Sequence, residues 1–556
     1  MSTETKTTTG VGELIVRCLE NEGVTHVFGI PGEENIHLIQ ALAESSIRYV
    51  LVRHEQAAAF MAEVYGRLTG QAGVCSATLG PGAINLLLGV ADATTNSTPL
   101  VALSAQVGMD RRYKESHQGV DLVSMFAPVT KWSELVATPG AVPEMIRKAF
   151  KLAQTERPGA VYLAVPEDVE NASAPAGARP LVVNRPRPDE PSEAQLRRVA
   201  EVLRSATSPI LLAGHGAARA GAADAVRRFA EKLCVPVATT FHGKGVLPDD
   251  HPLALGAVGF MRRDYVNFGF DQADAIIAVG YELQEFDPVR INPDSDKQII
   301  HIHRFPAEVD AHYGVAVGLQ ADIGHTLDAL AATVDHEFGP HQANQKIRAM
   351  LAAELDRGRQ DARFPVAPAR IVADTREALG RSDIALVDTG ALKMWMARLY
   401  PTYEPNTCLI SNGLSTMAWS LPGAIGAKLA RPDARILVAT GDGGFLMNSQ
   451  EIETALRERI PMVVLIWVDD EYGLISWKME LELGESVDTA FGNPDFVAYA
   501  ESFGARGYRI EAADQLLPTL REALAQDTVS VIACPVDYSA NLQLTDALGE
   551  LDESLS

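Results

Sequence analysis

Short apolar segments alternate with longer stretches of helical periodicity along most of the chain. In the first third, apolar runs of strand length lie at 24–30, 48–53, 74–78 and 99–105, with helical patterns between them. Strands that alternate with helices are typical of a doubly wound domain with a parallel sheet. The pattern therefore predicts an α/β fold at the start of the chain.

The same alternation occurs twice more, after two breaks. A Pro-, Ala- and Gly-rich stretch at 171–193 has no periodicity and is typical of a linker, and a polar region at 337–364 forms the second break. We therefore predict an α/β protein with three doubly wound parallel-sheet domains in series. The predicted domains are 1–172, 190–340 and 360–545, followed by a C-terminal tail at 546–556.

Composition narrows the possible partners and the location. A chain of 556 residues is too long for one hydrophobic core, which agrees with several domains. The formal charge of −24 argues against nucleic acid and anionic membrane surfaces, because both require basic patches. The five cysteines have no metal-binding or disulfide spacing, and no apolar run is long enough to cross a bilayer. We expect a cytoplasmic protein without nucleic acid or membrane partners.

The third predicted domain contains a glycine-rich turn. The strand RILVATG at 435–441 runs into the sequence GDGG at 441–444, and a helical pattern follows. Asn448 and Glu451 are spaced as a capping box, which predicts that this helix begins at Asn448. A tight turn between strand and helix presents backbone N–H groups to a phosphate, although the turn alone also fits an ordinary strand-to-helix connection.

Two aspartates follow the next predicted strand, PMVVLIWV at 461–468. Asp469 lies 27 residues after Asp442, and Asp470 follows it. The carboxyl ends of parallel strands meet at the edge where open α/β sheets bind ligands. Carboxylates beside a phosphate-binding turn suit Mg²⁺, which prefers oxygen ligands and shares them with a diphosphate. Together these features predict a magnesium–diphosphate site, in preference to a turn beside a solvated acidic loop.

The pair GDGGF and DDEYG resembles the motif of thiamine-diphosphate enzymes, which is GDG followed by Asn-Asn or Asn-Asp. The resemblance implies thiamine diphosphate and Mg²⁺ as cofactors, with Asp442, Asp469 and the backbone carbonyl of Glu471 as metal ligands. It also implies diphosphate contacts from Gly443 and Gly444. In having an aspartate at position 469, the chain resembles the catabolic acetolactate synthases more than the biosynthetic ones.

Other segments of the third domain resemble coenzyme-binding segments of the same family. SNGLSTM at 411–417 resembles GLGTMG, which implies that Met417 is the apolar wedge that bends the coenzyme and that the Ser415 carbonyl accepts from its 4′-amino group. A buried methionine that fills a gap is the alternative for Met417. The family pattern implies further coenzyme contacts from Gly390, Lys393, Gly441 and Tyr472.

The first domain contains the segment RHEQAAA at 53–59, which follows a predicted strand and opens an Ala-rich helix. A glutamate at a helix N-terminus is by itself only a favourable partner of the helix dipole. The segment, however, resembles the RHEQ/EAAA sequence of thiamine-diphosphate enzymes. The resemblance implies that Glu55 hydrogen-bonds the aminopyrimidine and activates the coenzyme.

A further segment of the first domain, SHQGV at 116–120, resembles a substrate-binding loop of catabolic acetolactate synthases. The resemblance places His117 and Gln118 in the active site, with Gln118 orienting the substrate carbonyl or carboxylate. A polar pair in a surface loop is the alternative interpretation.

The resemblance extends over most of the chain and implies an acetolactate synthase-like transferase. Such an enzyme decarboxylates pyruvate and joins the remaining two-carbon unit to a second pyruvate, giving 2-acetolactate and CO₂. The alternative is a related decarboxylase, oxidase or carboligase with an aldehyde or another 2-oxo acid as acceptor. VGYELQEFDP at 279–288 is similar to the catabolic enzymes rather than to the flavin-containing ones, so we do not expect FAD.

Three lysines bear on the choice of substrate. Lys393 and Lys478 stand where the family commonly has uncharged or aromatic residues, and with Lys131 they could place positive charge near the substrate. Surface lysines with solvated heads are the alternative.

The predicted site also has a consequence for assembly. Glu55 and the magnesium motif lie on different domains, yet one coenzyme contacts both. In the family this occurs across a subunit interface. We therefore expect a homodimer at minimum, with a homotetramer as the larger assembly.

Overall fold

The computed structural model describes residues 9–184, 189–259, 264–339 and 342–541. These residues form three six-stranded parallel sheets in series, which confirms the predicted fold class. They fall into two compact units: one contains the first sheet together with Pro422–Pro432 and Gln450–Glu458, and the other contains the second and third sheets. The predicted tail at 546–556 and the predicted boundaries at 340 and 545 lie outside the described residues.

The first sheet has the strand order β2-β1-β3-β4-β6-β5. Every residue of β4 and β6 is buried, as expected for central strands with helices on both faces. The strands are β1 His26–Gly29, β2 Arg48–Leu51, β3 Gly73–Ala77, β4 Leu100–Gln106, β5 Trp132–Leu135 and β6 Ala160–Pro166. The helices are α1 Val11–Asn21, α2 Ile36–Ala43, α3 Glu55–Thr69, α4 Pro81–Thr95, α5 Leu122–Phe126, α6 Val142–Gln154 and α7 Glu167–Glu170.

The second sheet has the order β12-β11-β10-β7-β8-β9, so the strand order reverses between β7 and β10. A capping box between Ser192 and Gln195 starts its first helix. The strands are β7 Pro209–Ala213, β8 Val237–Thr239, β9 Ala254–Ala257, β10 Ala275–Val279, β11 Gln298–His303 and β12 Val315–Gln320. The helices are α8 Glu193–Ser205, α9 His215–Arg219, α10 Ala223–Leu233, α11 Tyr265–Asp271, α12 Ile323–Thr333 and α13 Gln342–Gln360.

The third sheet has the order β14-β13-β15-β16-β18-β17, and its strand order reverses between β13 and β15. In such sheets, ligands bind at the carboxyl ends of the strands beside this reversal. The strands are β13 Ile384–Val387, β14 Cys408–Ile410, β15 Ile436–Gly441, β16 Met462–Val468, β17 Arg506–Arg509 and β18 Val529–Pro535. The helices are α14 Pro368–Ala378, α15 Ala391–Leu399, α16 Ser420–Ala430, α17 Asp442–Asn448, α18 Glu451–Arg457, α19 Gly473–Leu483, α20 Phe496–Phe503 and α21 Leu516–Leu524.

Most of α16 and all of α18 belong to the first compact unit. Within that unit, a Cβ at Gly426 of α16 would lie 2.3 Å from the carbonyl oxygen of Met61 in α3. Only glycine permits this close approach of the two helices.

Short 3₁₀ helices complete the described secondary structure, and none of the helices in the described ranges is both long and apolar enough to span a membrane. The 3₁₀ helices are Glu33–Asn35, Ala127–Val129, Pro139–Ala141, Leu283–Glu285, Pro288–Arg290 and Ala513–Gln515.

Candidate active site

The glycine turn joins β15 to α17 at the carboxyl edge of the third sheet. Gly441 is the N-cap, and α17 begins directly at Asp442. The predicted capping box is therefore wrong, because the helix ends rather than begins at Asn448. The Asn448 side chain instead donates to the carbonyl of Ala418, while Glu451 begins the next helix.

Two glycines allow other groups to approach the turn closely. A Cβ at Gly443 would lie 2.9 Å from Cε1 of Tyr472, and a Cβ at Gly444 would lie 3.1 Å from Oδ2 of Asp388. Ordinary contacts between carbon atoms are about 3.5–4.0 Å. A larger residue at Gly443 would require the Tyr472 ring to move, and one at Gly444 would press against the Asp388 carboxylate.

The Asp442 carboxylate connects the ends of β15 and β16. Its Oδ1 accepts from the amide of Gly443 at 2.8 Å. Its Oδ2 accepts from the amides of Asp469 at 3.1 Å and Asp470 at 2.8 Å. These bonds fix the orientation of the carboxylate and hold the loop after β16 against the glycine turn.

Asp469 is the least satisfied carboxylate of this edge. Its Oδ2 is buried and has no hydrogen-bond partner among the described residues. Burial, followed by the negative charges of Asp442 and Glu471, raises the pKa of Asp469 to about 8. A Cβ at Gly473 would lie 2.3 Å from the same oxygen, so the main chain crosses directly over it. A bound cation would compensate both the missing partner and the repulsion.

The donor set fits Mg²⁺. Within the described ranges, no three His, Cys, Asp or Glu side chains are placed to hold a metal together. A cation here would therefore be held by Asp442, Asp469, a main-chain carbonyl and oxygens of a bound ligand. Mg²⁺ is commonly bound in this way, through one or two carboxylates and the phosphates of a ligand.

A cavity of about 90 Å³ opens between the glycine turn and the loop after β16. Most of the coenzyme and metal residues predicted on the third domain meet at this cavity, although they come from four separate segments of the chain. Those that line it are Gly390, Met417, Gly441, Asp442, Gly443, Gly444, Asp469, Glu471 and Tyr472.

Lys393 and Ser415 form a pair in the same domain. Lys393 lies in the first turn of α15 and is buried, and its ammonium donates to the hydroxyl of Ser415 at 3.0 Å. Ser415 has a positive φ of 55°, which is uncommon for a residue other than glycine. The hydrogen bond helps to hold the loop that leads to Met417.

Asp388, which the sequence analysis did not identify, holds the loop that contains Met417 through hydrogen bonds. Its buried carboxylate accepts from the amides of Ala418 at 3.0 Å and Trp419 at 3.1 Å and from the hydroxyl of Thr440 at 2.9 Å. Burial raises its pKa to about 6. Asp388 thereby connects the Met417 loop to the residue that precedes the glycine turn. Its position directly after β13 was the only sequence signal.

Glu55 is the first residue of α3 in the first compact unit. The N-cap residue His54 accepts from the amide of Gln56 through Nδ1 at 3.1 Å. The Glu55 side chain is 8% exposed, and the helix behind it is buried. A buried carboxylate at a helix N-terminus is stabilised by the helix dipole.

The first turn of α4 shapes the surroundings of Glu55. Asn85 donates to Oε2 of Glu55 at 3.0 Å. A Cβ at Gly82 would lie 2.9 Å from Oε1, so glycine leaves the room that the carboxylate occupies. The stretch at 80–107 resembles a loop and helix that face the active site in acetolactate synthases, but the sequence did not show that Gly82 and Asn85 contact Glu55.

Gln118 lies against the N-terminus of the same helix. A Cβ at Gly80, the N-cap of α4, would lie 2.8 Å from the carbonyl oxygen of Gln118. Gln118 has a positive φ of 55°, and both it and His117 are exposed in the single chain. The structure thus brings Glu55 and Gln118 to the same end of α4.

Glu451, at the start of α18, is a further buried carboxylate in the first unit. It accepts from the amide of Arg53 at 3.1 Å and from the hydroxyl of Thr454 at 2.6 Å. Burial raises its pKa to about 7. The bond to Arg53 fixes the chain just before Glu55.

The remaining two predicted lysines have structural partners. The ammonium of Lys131 donates to the carbonyl of Thr155 at 2.7 Å, just after the end of α6. The helix dipole stabilises a positive charge at this end of the helix. The side chain of Lys478 is 70% exposed and lies 3.5 Å from Glu482, one turn further along α19. Neither contact requires a substrate.

Three protein-family models match the chain, one for each of the three sheets and in the same order along the chain. Residues 9–125 match the N-terminal TPP-binding domain of thiamine pyrophosphate enzymes, residues 196–330 match their central domain, and residues 388–534 match their C-terminal TPP-binding domain. Relatives that are more than 30% identical over nearly their whole length support the same assignment.

The chain belongs to the thiamine pyrophosphate enzyme family that includes the acetolactate synthases. This confirms the resemblance on which the sequence analysis relied. It also supports thiamine diphosphate as the cofactor and identifies the chain as an acetolactate synthase-like enzyme.

Individual relatives show the range of this family. The chain is 36% identical to the acetolactate synthase of Bacillus subtilis, covering 96% of this chain and 94% of that protein. It is 36% identical to the catabolic acetolactate synthase of Raoultella terrigena, with 95% of each chain covered. It is also 34% identical to a probable 2-ketoarginine decarboxylase of Pseudomonas aeruginosa, covering 94% and 93%. Members of similar overall identity thus carry names of different reactions.

Proposed function

We propose that this enzyme decarboxylates pyruvate and transfers the remaining two-carbon unit to a second pyruvate, giving 2-acetolactate and CO₂. The similar acetolactate synthases from Bacillus subtilis and Raoultella terrigena support this reaction. The structural observation that carries its cofactor site is the Asp469 carboxylate oxygen, which has no partner among the described residues and lies beside Asp442 at the edge of a glycine-lined cavity.

The residues at this cavity have distinct roles in the proposal. Asp442, Asp469 and the carbonyl of Glu471 would hold Mg²⁺, and the main chain at Gly443 and Gly444 would contact the diphosphate. Gly390, Gly441 and Tyr472 form the cavity wall, and Met417 supports the coenzyme from the Ser415 loop. Bound thiamine diphosphate supplies an electron sink for decarboxylation.

Glu55 activates the coenzyme in this proposal. Its carboxyl group would hydrogen-bond the aminopyrimidine ring, and Asn85, which donates to Oε2 at 3.0 Å, keeps the carboxyl oriented. Gln118, at the same end of α4, orients the substrate carbonyl or carboxylate, with His117 beside it. The exposure of Gln118 and His117 in the single chain leaves them accessible to a substrate.

A second candidate is a related decarboxylase, oxidase or carboligase that uses another 2-oxo acid or an aldehyde. This candidate is supported by the relative from Pseudomonas aeruginosa that is named a probable 2-ketoarginine decarboxylase. The buried ammonium of Lys393 is the feature of this chain that would favour an anionic acceptor, because it lies beside the Ser415 loop. Lys131 and Lys478 support it less, since Lys131 donates to the main-chain carbonyls of Leu152 and Thr155 and Lys478 lies beside Glu482.

We propose that the enzyme does not use FAD. Dinucleotides bind α/β domains where the strand order reverses, with the diphosphate at the following helix N-terminus. In the second sheet, the amide of His215 at this position donates to the carboxylate of Glu285 at 3.1 Å and 3.2 Å. Glu285 also accepts from the amide of Glu282 at 3.0 Å. The carboxyl group of Glu285 therefore occupies the position that a flavin diphosphate would need.

We propose that the active enzyme is at least a homodimer, with a homotetramer as the larger assembly. Each compact unit exposes apolar side chains next to its part of the site: Ile84 and Leu88 on one face of α4, and Leu446 and Met447 on α17. Exposed apolar groups of this kind are typical of subunit interfaces. In a dimer, Glu55 of one protomer would serve the metal site of its partner.

A cytoplasmic location is also proposed. All five cysteines are unpaired, and four of them are buried. Burial raises the pKa of the Cys18 thiol to about 11, which keeps it protonated and unreactive. Unpaired buried thiols are normal in a reducing compartment.

Product identification tests the reaction. The purified enzyme is incubated with pyruvate, thiamine diphosphate and Mg²⁺, and products are identified by NMR, with other 2-oxo acids and aldehydes in parallel. We expect 2-acetolactate from pyruvate alone. Acetaldehyde or hydrogen peroxide without acetolactate would overturn the synthase proposal, and a faster reaction with another acceptor would favour the second candidate.

A further inference from the structure

A short segment after α19 folds back over the predicted metal loop. We call residues 489–493 the strap. The amide of Tyr472 donates to the carbonyl of Thr489 at 2.9 Å, and the amide of Phe491 donates to the carbonyl of Asp470 at 2.9 Å. The strap therefore pairs with the metal loop as a short antiparallel ladder.

This pairing determines where the main chain of Glu471 points. Glu471 lies opposite Ala490 in an antiparallel bridge. In such a bridge the hydrogen bonds are made by the flanking residues, so the N–H and C=O groups of the central residue point away from the partner strand. The carbonyl of Glu471 is thus directed away from the strap, where a metal ion can accept it as a ligand.

Asn493 fixes the end of the strap to two carboxylates. Its Nδ2 donates to Oδ2 of Asp442 at 2.8 Å and to Oδ1 of Asp470 at 2.7 Å. A primary amide has two N–H groups, so both are used. The Oδ1 of Asn493 is buried and has no hydrogen-bond partner within the described residues.

The two hydrogen bonds of Asn493 connect carboxylates that would otherwise repel each other. Asp442, Asp469 and Asp470 all carry carboxylates at this edge, and Asn493 is a neutral donor to two of them. Hydrogen bonds to ionised groups are roughly twice as strong as those between neutral groups. Because Asn493 lies 24 residues beyond Asp469 and follows a separate helix, the metal motif in the sequence does not include it.

We propose that Asn493 is a positioning residue for the magnesium site. It holds the Asp442 carboxylate in its coordinating orientation and clamps the strap, which in turn directs the Glu471 carbonyl to the metal. This inference rests on the proposed magnesium and thiamine-diphosphate site. It adds a residue that contacts the predicted metal ligands without binding the metal itself.

Binding of Mn²⁺, a paramagnetic substitute for Mg²⁺, tests this role without measuring turnover. The full-length wild-type protein, Asn493→Ala and the control Gln272→Ala are titrated with Mn²⁺ in saturating thiamine diphosphate, and free Mn²⁺ is measured by EPR. Gln272 is an exposed amide at the end of α11. Loss of groups that orient metal ligands typically costs 10–100-fold in affinity. We expect Asn493→Ala to raise the Kd for Mn²⁺ about tenfold and Gln272→Ala to change it less than twofold.

Hydrogen–deuterium exchange gives a second readout. In Asn493→Ala, the peptides that contain the amides of Tyr472 and Phe491 should exchange faster than in the wild type, because the ladder is no longer clamped. Asn493→Ser, which keeps one donor, should lie between the two and replaces the alanine variant if that variant does not fold. An unchanged Kd together with unchanged exchange in a folded variant would overturn the inference. A wild-type protein that binds neither Mn²⁺ nor the coenzyme would instead overturn the proposed function.

Discussion

Replacing Glu55 by Gln separates a chemical role of this residue from a structural one. Glutamine has nearly the same shape, so it fits the space that Gly82 leaves beside the carboxyl group. Its side-chain oxygen can still accept from Asn85, whose amide donates to Oε2 at 3.0 Å in the wild type. What the variant loses is the ability to exchange a proton with the aminopyrimidine ring.

The expected effects differ widely in size. Exchanging one hydrogen-bond acceptor for another of the same shape changes the free energy of unfolding by about 1 kcal/mol, which leaves the fold and the coenzyme site intact. A positioned acid or base contributes about 10²–10⁴-fold to a rate. We therefore expect kcat for acetolactate formation to fall by about 10²–10⁴-fold, equivalent to about 3–5 kcal/mol in the activation barrier.

The assay compares wild type, Glu55→Gln, Asn85→Ala and the control Glu44→Gln. Glu44 is an exposed glutamate whose Oε1 accepts from the side chain of Gln40 at 3.2 Å. Acetolactate is measured after conversion to acetoin, coenzyme affinity by isothermal titration calorimetry, and folding by the thermal midpoint. We expect kcat of Asn85→Ala to fall by about tenfold. Glu55 is still present in this variant, but the hydrogen bond that orients its carboxyl group is lost.

Two results would refute the reasoning about Glu55. If Glu55→Gln keeps more than a tenth of the wild-type kcat, the carboxyl group does not activate the coenzyme. If it loses coenzyme binding while remaining folded, the role of Glu55 is to bind the coenzyme.

The remaining predictions address pH, the buried lysine and the metal. Burial raises the pKa of Glu170 from 4.5 to about 7, and its Oε2 has no partner among the described residues. Between these values the folded protein holds a proton that the unfolded chain releases, so stability decreases as pH rises, by up to about 3 kcal/mol. The thermal midpoint of Glu170→Gln should therefore rise relative to the wild type between pH 5 and pH 8, and parallel curves would contradict this. Lys393→Met removes the bond to Ser415 and should weaken coenzyme binding about two- to tenfold in calorimetry, whereas an unchanged Kd would assign Lys393 no part in holding the loop. Removal of divalent cations with EDTA should abolish coenzyme binding until Mg²⁺ is restored, and binding that persists would exclude Mg²⁺ as the bridge to the diphosphate.

The hydrophobic pattern of the chain predicted the fold class, and the glycine turn with the two following aspartates predicted the metal motif. Alternating strands and helices are local features, so the three parallel sheets could be predicted before their strand order was known. The turn at 441–444 and the aspartates after 468 follow two strands that the structure places side by side. The spacing of these segments therefore predicted a site that the tertiary structure brings together in one cavity.

Only the tertiary structure decided which side chains support the site. The spacing of Asn448 and Glu451 suggested a capping box, but spacing cannot show that Asn448 binds Ala418 instead. Asp388 and Asn493 each contact residues distant in sequence, and such pairings depend on strand order and loop packing. Local sequence therefore determined which elements form and which chemistry they carry, because hydrophobic periodicity and turn composition act over short stretches of chain. The orientation of each functional group depended on long-range packing, which no short stretch encodes.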